Sequence, residues 1–350
     1  MLKDTIKTAR LAKGLKIKDL SMVLNIDSAL ISKWEGGIRK PTKEQIIKLS
    51  DALEMDLNTL LIEWMSELIL YEIGDDLLAL QALKVAEEKI KYNNLKTNVK
   101  LPKSLNKKLD LLDKYKMQLN EVRHMNSDKI VQALELEYTY DSNKIEGNTL
   151  TLNETNLVIN EGITISGKSI REHLEAINHQ DAILYLKDLI NKHSIIRESD
   201  VLQLHYLILK GIDNENAGRY RKVQVMIKGS RHMPPQPYLV PKQMEDLMIW
   251  YQLNHKKIHP VLLAAEFSER FVTIHPFIDG NGRTSRLLMN LILLKNSYVI
   301  ANIKGDNKSR LNYYNALESV QVDQDKNAFY EFIINSATDS IKRYIDILTK

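Results

Sequence analysis

The chain has 350 residues, which is enough for one large domain and a smaller one. Hydrophobic residues make up 44% of it and charged residues 27%, a balance that allows a sizeable core and excludes extensive disorder. It contains no cysteine, which excludes disulfides and zinc sites built from thiolates. The formal net charge of +4 does not by itself indicate a nucleic-acid partner.

The first 50 residues are more basic than the rest, with eleven Lys and Arg against five Asp and Glu. Glycine and capping signals predict three short helices here: Leu2 to Lys13, Ile17 to Leu24, and Ser28 to Glu35 with Asp27 as N-cap. The tight turn at residues 25–27 predicts a helix-turn-helix. Its expected core is Leu20, Val23, Leu24, Ile26, Ile31 and Trp34.

Two strings in this segment, Leu30 to Gly37 and Arg39 to Thr42, resemble the Cro/C1-type (XRE) helix-turn-helix family. The resemblance covers about residues 1–64 and implies duplex DNA as a partner. The residues expected to contact DNA are Ser28, Ala29, Ser32, Lys33, Arg39 and Lys40. The alternative is a small helical bundle used for protein contact.

In the rest of the chain, apolar residues recur mostly at the spacing of an α-helix. We expect a helical connector at 65–100 and one long, mainly α unit at 101–350. Residues 218–241 are the exception, because Val223, Val225 and Ile227 alternate with other residues before Gly229 and predict a short β-hairpin. The start of the chain lacks the apolar core of a signal peptide, and no apolar stretch is long enough to span a bilayer. We therefore expect a cytoplasmic protein without a membrane partner.

Residues 275–286, His-Pro-Phe-Ile-Asp-Gly-Asn-Gly-Arg-Thr-Ser-Arg, combine several groups suited to a polyphosphate. Two glycines let backbone N–H groups approach an anion, and the N-terminus of a following helix attracts negative charge. Arg283 and Arg286 lie three residues apart and share one face of that helix. Asp279 offers a hard oxygen for Mg²⁺, and His275 is the expected general base.

This string matches the Fic family signature at every fixed position, and the resemblance extends over about residues 101–330. It implies a helical bundle that transfers AMP from ATP to a protein Ser, Thr or Tyr hydroxyl. By that resemblance His275 deprotonates the hydroxyl and Asp279 holds Mg²⁺. The phosphate-binding residues it implies are Gly280, Asn281, Gly282, Arg283 and Arg286.

Three further segments resemble parts of the same family. Residues 142–147 resemble its inhibitory motif, which implies that Ser142, Glu146 and Gly147 form a lock in which Glu146 pairs with Arg286. The hairpin resembles the family's flap, which implies that Val223, Val225 and Ile227 dock the target segment. The adenine contacts are expected from Tyr313, Tyr314 and Gln321, although core aromatics are an alternative reading of the two tyrosines.

Two alternative functions stay open at this point. One is a phosphotransferase like the Doc branch of the family, which the intact Gly280-Asn281-Gly282 disfavours. The other is a DNA-binding regulator that only senses nucleotide, which the presence of His275 disfavours. The target protein, the operator and the oligomeric state stay open, a dimer being one of the alternatives.

Overall fold

The computed structural model describes residues 2–74, 78–93, 101–192 and 195–349. The chain forms two compact units, residues 1–99 and 100–350. The helices of the first unit are α1 (Leu2–Ala12), α2 (Ile17–Leu24), α3 (Ser28–Glu35), α4 (Lys43–Leu53), α5 (Leu57–Ile73) and α6 (Ala79–Asn93). Those of the second unit are α7 (Lys103–Val122), α8 (Asp128–Ile145), α9 (Leu152–Asn160), α10 (Ile170–Asn191), α11 (Glu198–Leu209), α12 (Val240–Asn254), α13 (Pro260–Ile274), α14 (Asn281–Lys295), α15 (Asn307–Gln321) and α16 (Asn327–Thr349).

These helices confirm the mainly α fold class. The predicted boundaries at residues 64 and 100 stay predictions: α5 runs through residue 64, and residues 75–77 and 94–100 of the expected connector lie outside the described residues. Across the described part of the chain, we find no helix that combines the length and apolarity needed to cross a membrane.

The first unit is a small bundle whose helices begin and end where the sequence signals place them. The Asp27 side chain accepts the N–H of Ala29 and so caps α3 as predicted. Two hydrogen bonds from Arg10 to Glu35, of 2.6 and 2.8 Å, tie α1 to α3. The core lies among α1–α5 and contains Leu2, Ile6, Leu20, Leu24, Ile31, Trp34, Ile46, Leu49, Leu53 and Leu60. The prediction that Val23 joins this core is wrong, because its position on α2 leaves it 62% exposed.

The second unit is built around α13 and α14, which pack against each other and against α10, α11, α12 and α16. The α13 helix is buried on nearly every side, so its charged residues need internal partners. Glu266 lies 2.9 Å from Arg270 Nε and 2.7 Å from Lys326 Nζ. Because these helices are fixed by packing all round, the loop between α13 and α14 is held on a rigid frame.

The predicted β-hairpin is wrong. Among the described residues 218–241 no strand is formed: residues 218–236 are an irregular loop, followed by a short 3-10 helix (Pro237–Leu239) and the start of α12. The Arg221 guanidinium donates hydrogen bonds to the carbonyls of Val223 and Pro235, of 3.1 and 2.5 Å. A side-chain donor therefore takes carbonyl groups that a strand ladder would use, and the two prolines at 234–235 have no N–H to offer in return.

Candidate active site

The loop at residues 275–282, here called the motif loop, is shaped by left-handed backbone at both ends. His275 ends α13 with φ 49°, and Gly280 begins α14 with φ 79°. The Asn281 side chain closes the loop, because its oxygen accepts the N–H of Phe277 at 3.0 Å and its NH₂ donates to the Phe277 carbonyl at 2.9 Å. The amide oxygen and one N–H of Asn281 are thus engaged in holding the shape of the loop.

His205 on α11, which is not among the residues predicted from the sequence, supports the motif loop. Its Nδ1 accepts the N–H of Gly218 at 2.9 Å, so its Nε2 carries the proton and donates to the Asp279 carbonyl at 2.9 Å. Its ring stacks on Phe277 with centroids 3.5 Å apart. Burial lowers the pKa of His205 to about 4, which keeps the ring neutral. In the sequence, a single histidine in an apolar helix does not show whether it supports a loop or only packs in the core.

His275 lies at the mouth of the loop and is neutral at physiological pH. Burial lowers the pKa of His275 to about 4, and the charges of Arg221 and His232 act in the same direction. Its Nδ1 lies 3.4 Å from the Val272 carbonyl, which only an N–H can satisfy. The proton therefore sits on Nδ1, and Nε2 keeps a lone pair that can accept another.

Arg283 and Arg286 are the buried cations of the site, each 2% exposed. Arg283 lies 3.3 Å from the carboxylate of Glu175 on α10 and 3.6 Å from that of Asp279. Glu175 is itself buried and also accepts a hydrogen bond of 2.9 Å from Asn148. Since a buried cation is costly without a counter-charge, Glu175 is what allows Arg283 to lie here. No motif in the sequence predicts this role of Glu175.

Residues at the end of α8 hold Arg286. The Glu146 carboxylate lies 2.7 Å from Arg286 Nη2, which also donates to the Ser142 carbonyl at 2.8 Å, while Arg286 Nε donates to the Ser142 hydroxyl at 3.1 Å. Burial alone would lower the pKa of Arg286, but Glu146 raises it. A Cβ at Gly282 would lie 2.2 Å from the Glu146 carboxylate, so the carboxylate covers the start of α14. We call this set of contacts the lock; Gly147, with φ 100°, directly follows it.

Asp279 offers a charged, partly exposed carboxylate beside this helix start. Its side chain is 43% exposed, with one oxygen 2.5 Å from Arg171 Nη2 and the other accepting the N–H of Gly280 at 2.6 Å. Burial alone would raise the pKa of Asp279, but Arg283, Gly280 and Arg171 together hold it below its ordinary value. Such a carboxylate fits Mg²⁺, which takes one or two protein carboxylates and completes its shell with phosphate oxygens and water.

Two of the three residues expected to contact adenine lie at the C-terminal ends of α8 and α13. Tyr313 is buried, and Tyr314, 38% exposed, donates a hydrogen bond of 3.3 Å to the Ile145 carbonyl at the end of α8. Gln321 donates a hydrogen bond of 3.1 Å to the Thr273 hydroxyl on the last turn of α13. The adenine contacts stay a prediction.

The extended segment at 218–241 is anchored to the motif loop through Arg221. Its backbone N–H donates to the Pro276 carbonyl at 2.9 Å and its Nε to the His275 carbonyl at 2.8 Å. Val223 is 55% exposed, and Val225 and Ile227 are half-buried. The three residues expected to dock a target are thus carried by a segment fixed beside His275.

In the first unit, five of the six expected DNA contacts are exposed: Ser28, Ala29, Ser32, Lys33 and Arg39. Lys40 is different, because its Nζ donates to the Glu67 carbonyl at 2.5 Å and lies 5.0 Å above the Tyr71 ring. The structure therefore holds Lys40 against α5, whereas the outer face of α3 is open.

Two family models match the chain: Fic/DOC family over residues 195–293 and Helix-turn-helix over residues 6–60. A protein from Caenorhabditis elegans named protein adenylyltransferase fic-1 is 35% identical over 244 residues, which is 67% of this chain and 46% of that protein. A protein adenylyltransferase Fic from Nematostella vectensis is 35% identical over 219 residues, 62% of this chain and 50% of that protein. The chain thus spans about half the length of these curated relatives.

Solved structures agree with the family models. Fic-1 from C. elegans, residues 134–508, superposes with a TM-score of 0.63 at 25% identity and covers 99% of this chain and 98% of that one. A Fic family protein from Desulfovibrio desulfuricans G20 gives a TM-score of 0.64 at 26% identity, covering 72% of this chain and 77% of that one. Taken with the motif loop and the first unit, these matches show that the chain carries a Fic domain preceded by a helix-turn-helix domain.

Proposed function

We propose that the second unit transfers AMP from ATP to a Ser, Thr or Tyr hydroxyl of a protein, either itself or another, and that Glu146 restrains it. One observation carries the proposal: a neutral His275 stands at one end of a glycine-rich loop whose other end begins α14 with two buried arginines. The similarity to relatives named protein adenylyltransferase supports the same reaction.

In the proposed reaction, His275 Nε2 takes the proton of the acceptor hydroxyl. The oxygen attacks the α-phosphorus of ATP, and a new P–O bond forms as the bond from the α-phosphorus to the bridging oxygen breaks. Pyrophosphate leaves with that bond's electron pair, and the proton on His275 passes on to solvent. A base whose pKa lies below the working pH is already deprotonated when the substrate arrives, which this step requires.

The start of α14 provides the charge stabilisation. Its free N–H groups and helix dipole face the phosphates, and the guanidinium groups of Arg283 and Arg286 bind the outer ones. We expect Asp279 to hold Mg²⁺, which when bound neutralises phosphate charge. Arg171 pairs with the same carboxylate in this structure and would share it with a bound metal ion or release it.

The lock acts on the same arginine. As long as the Glu146 carboxylate occupies Arg286 and covers Gly282, the γ-phosphate lacks its partner, and ATP can bind only in a non-productive pose. Removal of that carboxylate frees Arg286 for the phosphate chain and lets the α-phosphorus face the attacking hydroxyl.

We further propose that the first unit binds duplex DNA through the exposed face of α3. Ser28, Ala29 and Ser32 are short enough to approach base edges, and Lys33 and Arg39 are exposed cations suited to phosphates. Lys40 contributes less than its sequence position predicts, because α5 engages its ammonium group.

Incubation with ATP labelled at either the α- or the γ-phosphate tests the proposed reaction. Protein labelled only from the α-phosphate supports AMP transfer. Label only from the γ-phosphate would mean phosphotransfer of the Doc type. If the protein is labelled from neither phosphate although it binds ATP, the result would favour the alternative of a nucleotide sensor. A Glu146→Gly variant is the form to use, since the wild-type protein is expected to be restrained.

A further inference from the structure

A cavity of about 610 Å³ lies in the second unit among α8, α10, α14 and α16. None of its lining residues belongs to the motif at 275–286. Its volume is that of a site for one small organic molecule. The cavity is therefore separate from the proposed nucleotide site.

Most of the residues that line the cavity belong to α8, α10 and α16. On α8 and α10 the lining residues follow the same helical spacing, Val131, Leu134, Glu135 and Tyr138 on the first and Ile183, Leu186, Lys187 and Ile190 on the second. The helix α16 contributes four short polar side chains, Asn335, Ser336, Asp339 and Ser340, and the larger Phe332, Arg343 and Tyr344. The aliphatic side chains of α8 and α10 make part of the lining apolar, and the polar side chains of α16 can form hydrogen bonds with a ligand.

Four of the charged residues that line the cavity are already paired with one another. Lys187 lies 2.7 Å from Glu135, and Arg343 forms an ion pair with Glu137. A charged ligand would have to compete with these pairs, whereas a neutral one would not. The lining thus favours a neutral molecule with an apolar face and an edge of hydroxyl or amide groups.

We propose that this cavity binds a small neutral molecule of that kind and that its occupancy favours the inhibited conformation. The helix α8 connects the two sites, since Tyr138 lines the cavity and Ser142, one turn further on, holds Arg286. The cavity is formed while the lock is closed. A ligand that fits this conformation stabilises it by mass action, in proportion to its preference for it.

Binding can be tested on the full chain with N-phenyl-1-naphthylamine, a neutral apolar dye that fluoresces when removed from water. We expect saturable binding of one dye per chain. Ile183→Trp fills the cavity from α10 and should abolish it. The matched control is Leu184→Trp, because Leu184 is the next residue on the same helix and is 50% exposed; this variant should bind the dye as wild type does.

If Ile183→Trp fails to fold, hydrogen–deuterium exchange of the wild-type chain with and without dye replaces it. Protection on α8 and α10 supports the site. Protection confined to other helices, no saturable binding, or wild-type binding by a folded Ile183→Trp would each overturn the proposal.

The effect on transfer rests on the proposed function, whereas dye binding does not. At nine times its Kd, a dye that binds only the locked form should lower wild-type transfer about tenfold. The same dye should bind Glu146→Gly more weakly and should not inhibit it, because no lock is left to stabilise. Dye that binds but leaves wild-type transfer unchanged overturns the regulatory part. A Glu146→Gly variant without α-label would instead count against AMP transfer and leave the binding result intact.

Discussion

Replacement of Glu146 by glycine is the most direct test of the lock. Glu146 follows the last residue of α8 with φ −83° and ψ 0°, a conformation that glycine adopts freely, so the helix end should survive the change. The variant removes the carboxylate from Arg286 and from the space above Gly282. Ser142 still holds Arg286 from the hydroxyl and the carbonyl, so the guanidinium stays oriented toward the site. We therefore expect release of the lock without damage to the catalytic residues.

The expected gain follows from the contact that is lost. Arg286 is almost fully buried and the Glu146 side chain is 30% exposed, so their 2.7 Å pair is only partly screened by solvent. A charge-assisted hydrogen bond of this kind is worth roughly 1.5–3 kcal/mol. At about 1.4 kcal/mol per decade, the transfer rate should rise about ten- to a hundredfold.

The assay is automodification with α-labelled ATP. Glu146→Gln keeps the size of the side chain and removes its charge, so it should give a smaller gain than Glu146→Gly. The matched control is Glu137→Gln, which alters a carboxylate on the same helix that pairs with Arg343 instead of Arg286; its rate should equal that of the wild type. The double variant Glu146→Gly with Arg286→Ala should lose the gain, because the phosphate contact is gone as well. If the double variant is as active as Glu146→Gly alone, Arg286 is not the shared partner and the mechanism is wrong.

Three further predictions concern the base and the first unit. In the Glu146→Gly background, His275→Ala should lower transfer by about 10²–10⁴-fold and leave ATP binding, measured by calorimetry, nearly unchanged; a rate within a few-fold of the parent would reject the base. Because burial depresses the pKa of His275 to about 4, the base stays neutral and the single-turnover rate should stay level from pH 8 to pH 6, falling only as the pH approaches 4; a fall centred near pH 6.5 would mean an ordinary histidine. The full chain should bind duplex DNA more weakly as salt rises and more weakly still with Lys33→Ala or Arg39→Ala, as measured by fluorescence anisotropy; absence of binding at low salt would favour the protein-contact alternative.

The parts of the structure that could be predicted from the sequence are those set by local signals. Asp27, placed just before the apolar positions of α3, predicts the cap that the structure shows. Glu146 and Arg286 are far apart in the sequence, so no local pattern predicts that they meet. Only the resemblance to the Fic family predicts this pair. The structure brings them to 2.7 Å because α8 contacts α14.

Other parts depend on contacts that no local pattern contains. Alternation at Val223, Val225 and Ile227 predicted a strand, but a strand also needs a partner with free N–H groups, and the consecutive prolines at 234–235 cannot provide them. His205 was missed for the opposite reason, since its role comes from Asp279, which lies 74 residues away in the chain.

The anchoring of α8 indicates what has to move when the lock opens. The Asp141 carboxylate accepts hydrogen bonds from the Asn302 side chain at 2.7 Å and from the Gly305 N–H at 2.9 Å, and a Cβ at Gly305 would lie 2.8 Å from Lys144, so the segment after α14 fits closely against this helix. Withdrawal of the whole helix would break these buried contacts together. Opening is therefore easiest at the last turn of α8, where the Glu146 side chain is the more exposed partner of the pair. In the proposed mechanism, contacts that stiffen α8 as far as that turn would keep the lock closed, and contacts that loosen the turn would release Arg286 for a phosphate.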